Sequence, residues 1–391
     1  MVRARRIVLG LTGSAAIIRA PELAREFSRW GAEVRAVMSP SAAQLLSPTL
    51  MQWATGAEVV TSLTGRLEHL ELSEWADAVV VAPATASTLG KLAWGIADTP
   101  VTATVIASAG LGKPIFLAPA MHASMYLSAP VQEAVARLRE KGFLFVGPVL
   151  SEGRAKMAEI REILTWVMFH RPQDLKGLRV VVTAGPTLEP IDRIKVISNP
   201  SSGKMGIAVA RMAALRGAEV TLIYGPGTEP PPQGLKVIRV KTTQEMKEAL
   251  EEEVRKGADV VVAAAAAQDL RVERPFEGKL RSTETVELRL VPAPRVADGV
   301  KALSPTTFLV GFKAEYGVPE EELVSRAEEK LRAGFDLVVA NDLSLPGAGF
   351  GEDTNEVTLV HRSGREKMKG RKEEIAHRIL DLALQSLRRE G

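Results

Sequence analysis

Cysteine is absent from the sequence. Disulfides, iron–sulfur clusters, thiolate metal sites and cysteine-based catalysis are excluded with it. Histidine is scarce, and His69, His122, His170, His361 and His377 show no ligand spacing, so no structural zinc is expected. An excess of one charge is missing too: 50 Lys and Arg face 47 Asp and Glu, a net charge of +3 that gives no reason to expect nucleic acid. No apolar run is long enough to cross a bilayer; the best, Val101–Met121, is broken by Gly110, Gly112, Lys113 and Pro114. Arg3, Arg5 and Arg6 before Ile7–Leu11 imitate a secretory leader, but the apolar run is short and passes at once into a helical pattern with Arg19, Glu22 and Arg25. It reads as a first strand, and a cytoplasmic protein with no membrane partner is expected. A Gly-x-Gly-x-x-Gly fingerprint is missing after that strand, which argues against a nicotinamide dehydrogenase.

What is present is an ordinary globular composition, 46% hydrophobic and 25% charged, over 391 residues, enough for two domains. Apolar runs at Ile7–Leu11, Glu33–Met38, Ala78–Ala82, Pro114–Ala118 and Phe143–Val146 alternate with helical patterns, which predicts a parallel, doubly wound sheet. The pattern lapses from about Phe169 to Leu178. It restarts with strands at Val180–Thr183, Val220–Tyr224, Val237–Val240, Asp259–Ala265, Phe308–Phe312 and Leu337–Ala340. The expectation is an α/β chain of two doubly wound, Rossmann-like domains, 1–168 and 179–391, joined by a linker over 169–178. Leu280–Leu290 alternates polar and apolar residues and predicts a partly solvated hairpin arm. Val357–His361 and Lys367–Lys369 predict a late hairpin before a C-terminal helix from Lys372. Ligands of such sheets sit beyond the strand ends, here Thr12-Gly13-Ser14, Pro83-Ala84-Thr85 and Pro119-Ala120-Met121.

The chain is organised around Val180–Gly206. A buried strand ends in Gly185-Pro186, and after a polar excursion Ser201-Ser202-Gly203 opens a helix whose apolar positions (Met205, Ile207, Ala208, Met212, Leu215) recur at three and four residues. Unpaired N–H groups and the helix dipole make an anion site there, to which Lys204 adds a charge; the alternative is a Ser-Ser-Gly cap with a surface lysine. Gly13 and Ser14 likewise suit one phosphate at a helix N-terminus, or form only a tight strand-to-helix turn.

The second half is more specific in its wording than in its physics. Gly185-Pro186-Thr187, Glu189-Pro190-Ile191-Asp192 and Ile197-Ser198-Asn199 leading into Ser201–Gly206 resemble phosphopantothenate–cysteine ligases of coenzyme A biosynthesis, over residues 178–388. The resemblance implies CTP-dependent coupling of cysteine to 4′-phosphopantothenate through an acyl-cytidylate, with Mg²⁺ and lysines neutralising the approach of two anions. It implies substrate or nucleotide contacts at Ser201, Ser202, Gly203 and Lys204, and puts Asn199 on the acyl-cytidylate. Lys195 falls where many members carry an arginine, a departure that loses a bidentate fork. Ala265, within Ala263–Ala267, and Asp269 form a nucleotide wall. Lys279 is the catalytic lysine on a flexible arm, Phe312 lines the base, and Lys330 is a further phosphate lysine. Asn341-Asp342 and Gly349-Phe350 complete the resemblance.

In the first half, Thr12–Ala16, Pro83–Thr88, Gly95–Asp98 and Pro119–His122 resemble flavin-containing phosphopantothenoylcysteine decarboxylases, over residues 5–165. That implies FMN, with Gly13, Ser14 and Ser39 near its phosphate or ribitol, Pro83, Ala84, Thr85, Ser87 and Thr88 along it, and Met121 beside the substrate. His69 matches the active-site histidine; among carboxylates it would titrate near neutrality and serve as a base. Two departures stand out. His122 replaces an asparagine that holds the substrate carboxylate, and the lid, Ser151–Met157, lacks the cysteine that donates the last proton. Glu152, Lys156 or His122 could supply it, and the sequence does not choose. The family further implies trimer-based association through the first domain, and dimer contacts through the second are expected. The reading is a bifunctional enzyme, an N-terminal flavoprotein decarboxylase joined to a C-terminal nucleotide-binding ligase. Its alternatives are a ligase with an inactive or structural flavin domain and a non-catalytic regulatory subunit, the latter opposed by the intact ligase motif.

Overall fold

The computed structural model describes residues 5–170, 173–232, 234–281, 285–347, 349 and 351–390. It divides into two compact units, Met1–His170 and Arg171–Gly391.

The strands of the first unit are β1 (Arg6–Leu11), β2 (Glu33–Met38), β3 (Ala78–Ala84), β4 (Ile115–Pro119), β5 (Met121–His122), β6 (Leu144–Phe145), β7 (Val149–Ser151) and β8 (Arg154–Lys156). Five of them form a parallel sheet in the order β2-β1-β3-β4-β6. Every residue of β3 is buried, because helices cover both faces of a parallel sheet and a β-branched run suits that position. On the helix Ala20–Arg29 the buried residues Ala20, Leu23, Ala24 and Phe27 fall on one stripe. The strand order reverses between β1 and β3, which leaves a crevice beyond their carboxyl ends. A small antiparallel sheet, β5-β8-β7, adds a feature the sequence pattern did not predict: Met121 pairs with Ala155 and His122 with Arg154.

The second unit contains β9 (Arg179–Ala184), β10 (Leu188–Pro190), β11 (Val196–Ser198), β12 (Glu219–Tyr224), β13 (Lys236–Arg239), β14 (Val260–Ala263), β15 (Leu270–Val272), β16 (Leu290–Pro292), β17 (Phe308–Glu315), β18 (Leu337–Asp342), β19 (Thr354–His361) and β20 (Gly364–Arg371). Its main sheet runs β13-β12-β9-β14-β17-β18-β19-β20, parallel as far as β18. The first strand, β9, again lies at the switch point, between β12 and β14. The late hairpin β19–β20 and the C-terminal helix Lys372–Glu390 form as expected. Of the stretch Leu280–Leu290, residues 282–284 lie outside the described residues, and the described ones form no hairpin. Among its described residues only Leu290 enters a strand, β16, whose partner is β15 upstream, with Leu270 opposite Pro292. Residues 285–290 are exposed at every position, so the alternation has no face to bury and nothing holds a strand there.

Residues 171 and 172 of the segment read as a linker lie outside the described residues, and its later part is fixed to the second unit. Leu175 is 1% exposed and donates its N–H to Arg216 O at 3.0 Å. Arg216, fully buried at the end of the helix Lys204–Leu215, donates to both Asp174 oxygens at 2.8 and 2.7 Å and pairs with Asp381 at 2.8 Å.

Candidate active sites

At the crevice of the first unit lies a cleft of about 530 Å³. Gly13 and Ser14 reach it from β1, Ser39 and Ser41 from β2, Thr85, Ser87 and Thr88 from β3, and Ala120 and Met121 from β4. Helix starts ring it. Ser39 caps Pro40–Leu45 by accepting from Ala42 N at 3.2 Å, Thr85 caps Ala86–Ala93 through Thr88 N at 3.3 Å, and Thr99 shares a capping box with Thr102 on Pro100–Gly110. Their N–H groups and dipoles favour an anion without any fixed charge. Gly13 is required here: a Cβ would stand 2.6 Å from Ser41 Oγ. The Thr12 hydroxyl stitches the crevice, donating to Pro83 O at 2.7 Å and accepting from Thr85 N at 3.1 Å. Pro83 and Ala84 are buried within β3 beneath the cleft and do not line it. The stitching role of Thr12, the place of Ser41 in the cleft and the Thr99–Thr102 box were not foreseen, although Thr-Pro at a helix start was a legible capping signal.

The three proton-donor candidates gather at the small sheet, His122 on β5, Lys156 on β8 and Glu152 in the β7–β8 turn, and none of them is among the residues lining the cleft. Lys156 donates to Glu152 at 2.7 Å, and that bond holds the Glu152 carboxyl below its ordinary range, which makes it a poor acid. His122 turns Nδ1 inward to accept from Ser124 N at 3.3 Å, so the neutral ring carries its proton on Nε2. His69 lies elsewhere, on the helix Glu68–Trp75, and is not among the residues lining the cleft. Its Nδ1 is buried without a hydrogen-bond partner, while the neighbouring Glu68 is held down to about 2 by the hydroxyl and N–H of Thr64.

In the second unit, glycines let backbones close on the switch point. A Cβ at Gly225 would lie 1.9 Å from Pro186 O, and one at Gly206 would lie 2.5 Å from Ala184 Cβ. Gly203 caps the helix Lys204–Leu215 with φ +85°, a conformation only glycine adopts freely. Ser201 and Ser202 lead into it, and Ser202 O accepts from Thr228 and Glu229 N–H at 3.1 and 3.0 Å. Asn199 donates its amide to Ala266 O at 3.1 Å and Ala267 O at 3.4 Å, which joins the signature loop to the alanine wall. Ala265 is fixed on that wall by its N–H to Thr183 Oγ1 at 3.2 Å. Phe312, within β17 and one residue past the last that pairs with β14, offers its carbonyl to Lys330 Nζ at 2.8 Å. Burial lowers the Lys330 pKa, and Asp269, exposed, lies close enough to oppose that shift.

Two of the expected ligands are otherwise engaged. Lys204 donates to Gly351 O at 2.6 Å and Asp353 at 2.8 Å. Lys195 donates to Asp192 and to Leu280 O, both at 3.1 Å. Lys279 is exposed on the segment beside Leu280. Asp342 accepts N–H bonds from Gly317 and Ser344, each at 2.9 Å. Phe350 lies outside the described residues. Among the described residues no group of three His, Asp or Glu could hold a metal ion, and no helix is long and apolar enough to cross a membrane.

Comparison with known proteins matches residues 1–171 to the Flavoprotein family and residues 175–387 to the DNA/pantothenate metabolism flavoprotein C-terminal domain. The coenzyme A biosynthesis bifunctional protein CoaBC of Thermococcus kodakarensis is 48% identical over 385 residues, covering 96% of this chain and 94% of its own. The chain belongs to the coenzyme A biosynthesis bifunctional protein family. Members of that name in Methanocaldococcus jannaschii and Escherichia coli are 37% and 34% identical, each covering 96% of this chain and 93% and 95% of their own length. The chain is thus a bifunctional enzyme of coenzyme A biosynthesis, a flavoprotein decarboxylase unit fused to a ligase unit, and its two α/β units are the two Rossmann-like folds of that family.

Proposed function

We propose that the second unit ligates 4′-phosphopantothenate and cysteine at the expense of CTP, and that the first decarboxylates the product with FMN. A carboxylate oxygen of phosphopantothenate attacks the α-phosphorus of CTP and diphosphate leaves. The cysteine amine then attacks the acyl carbon, forming the amide and releasing CMP. The observation that carries this reading is the Asn199 amide seated on the Ala266 and Ala267 carbonyls, beside the helix start at Gly203. That arrangement suits an acyl-phosphate held against a wall of small side chains, with Lys279 and Lys330 supplying positive charge. Lys204 would have to leave Asp353 to join them. Mg²⁺ would arrive on the nucleotide phosphates, since it keeps most of its waters and needs no protein cage. Incubation with CTP and phosphopantothenate, without cysteine, should release diphosphate; release that is equal without phosphopantothenate would overturn the activation step.

The first-unit cleft fits FMN because a ring of N–H groups and hydroxyls, with the lining Lys91 paired to Asp98, suits one phosphate at Gly13, Ser14 and Ser39, with Thr85, Ser87 and Thr88 along the remainder. When bound, FMN would supply two-electron redox chemistry. His122 or Lys156, which stand on the small sheet beside Met121 and not in the cleft lining, would reach the substrate to supply the final proton to carbon, and Met121 packs beside the substrate. His69, absent from the cleft of its own chain, would serve as a base only in an assembly of copies. The exposed apolar side chains Trp94, Ile96, Met125, Leu127 and Leu150 support such association, trimer-based in the first unit, with dimer contacts assigned to the second. The purified protein should be yellow and release FMN on denaturation; a colourless protein that takes up no FMN would remove the decarboxylase half.

A further inference from the structure

We propose that Asp192 is a positioning residue for Lys279: its carboxylate ties the β10–β11 turn to the arm that carries the lysine, so that the hairpin leading to Asn199 also sets where the Lys279 charge stands. The inference rests on the ligase reading above.

The Asp192 side chain is wholly buried. Its Oδ1 accepts from the N–H groups of Ile194 at 2.7 Å and Lys195 at 2.6 Å, which close the turn on itself. Its Oδ2 accepts from Lys195 Nζ at 3.1 Å and from Leu280 N at 2.9 Å, a residue 88 positions along the chain. Lys195 Nζ also donates to Leu280 O, so the Asp192–Lys195 pair holds both backbone polar groups of Leu280. Two more bonds join the same segments: Arg193 N to Gly278 O at 3.1 Å and Phe276 N to Ile191 O at 2.8 Å. Gly278 and Leu280, the residues on either side of Lys279, are therefore both fixed to the turn, while Lys279 itself faces solvent.

No apolar contact could do this work, since residues 273–279 are exposed. Four donors converge on two carboxylate oxygens, and the N–H groups of Lys195 and Leu280 keep the group ionised, well below the usual carboxylate range. Asparagine has the same shape but one acceptor oxygen, and its NH₂ would face N–H donors. A position set by such bonds matters to a reaction in which a misplacement of about 1 Å can cost on the order of 100-fold. It also gives Lys195 a place in the turn, where its charge is compensated by Asp192.

The test is a double-mutant cycle in the full chain with Asp192→Asn, Lys279→Gln and both, reading kcat and KM for ligation. Decarboxylation of supplied 4′-phosphopantothenoylcysteine and FMN content report on folding. Asp192→Asn should lower kcat for ligation about 10- to 100-fold with decarboxylation unchanged. On the Lys279→Gln background it should add less than about threefold, because the group it positions is gone. A multiplicative double mutant, or wild-type ligation by Asp192→Asn when Lys279→Gln is impaired, would overturn the proposal. Wild-type ligation by Lys279→Gln would instead overturn the ligase assignment of that lysine. If Asp192→Asn does not fold, Leu280→Pro, which deletes the N–H joining arm to carboxylate, takes its place in the same cycle with the same outcomes.

Discussion

The two candidate sites offer donors to an anion in opposite ways. In the first unit the donors are backbone N–H groups at helix starts and hydroxyls that cap them, and the amine on the rim, Lys91, is already paired with Asp98 at 2.7 Å. In the second unit they are an amide and ammonium groups, and Asn199, Lys195, Lys204 and Lys330 each rest on carbonyls or carboxylates of a neighbouring segment. Fixed dipoles suit a cofactor retained through many turnovers, because they need no reorganisation and do not titrate. Charged side chains with alternative partners suit a nucleotide that must bind, lose diphosphate and leave.

The sharpest way to break this division is Asn199→Asp. A carboxylate would face the Ala266 and Ala267 carbonyls and an anionic intermediate, and ligation should fall about 100- to 1,000-fold, on the order of 3–4 kcal/mol. FMN content and decarboxylation of supplied 4′-phosphopantothenoylcysteine should hold; an equal loss in both assays would mean the sites are not independent. Next in size is the proton donor. His122→Ala or Lys156→Met should slow 4′-phosphopantetheine release roughly 10- to 100-fold and accumulate the oxidised enethiol, seen by mass. Glu152→Gln should change little, since Lys156 keeps Glu152 ionised. Enethiol building up in Glu152→Gln alone would reverse that assignment.

A smaller effect is expected from Thr85→Val, which removes one cap from the cleft. FMN should bind about 5- to 10-fold more weakly, roughly 1 kcal/mol, with ligation unaffected. The last effect falls on stability and not on either activity, a pH dependence confined to the second unit. Burial, with Lys204 nearby, lowers Lys372 from 10.5 to about 8, so the unfolded chain binds this proton more tightly than the fold does. Its penalty is present in full below pH 8 and is relieved as pH rises from about 8 to 10.5. Lys372→Met should abolish that rise in unfolding free energy, measured by urea titration across the window.

Much of this was legible in the chain itself, for physical reasons. β-Branched runs ending in Gly-Ser, Pro-Ala-Thr or Gly-Pro mark buried parallel strands and where they end, whereas the strand order, and with it the two switch points, is set by long-range pairing. The β5-β8-β7 sheet did not, because strands of two or three residues carry no period. The alternation at Leu280–Leu290 misled because a period of two predicts a strand only where one face is buried. Lys204 was readable as a charge at a helix start, but its turn toward Asp353 depends on a residue 149 positions away. The bond from Leu280 to Asp192 is long-range in the same sense, which is why Asp192 stood in a recognised motif without a role.

The central claim is that both units work in a chain without cysteine. It is tested most directly by incubating the purified protein with FMN, Mg²⁺, CTP, 4′-phosphopantothenate and cysteine, and following products by mass. Complete turnover should give 4′-phosphopantetheine, CMP, diphosphate and CO₂. Accumulation of 4′-phosphopantothenoylcysteine with no CO₂, or arrest at the oxidised enethiol, would contradict it.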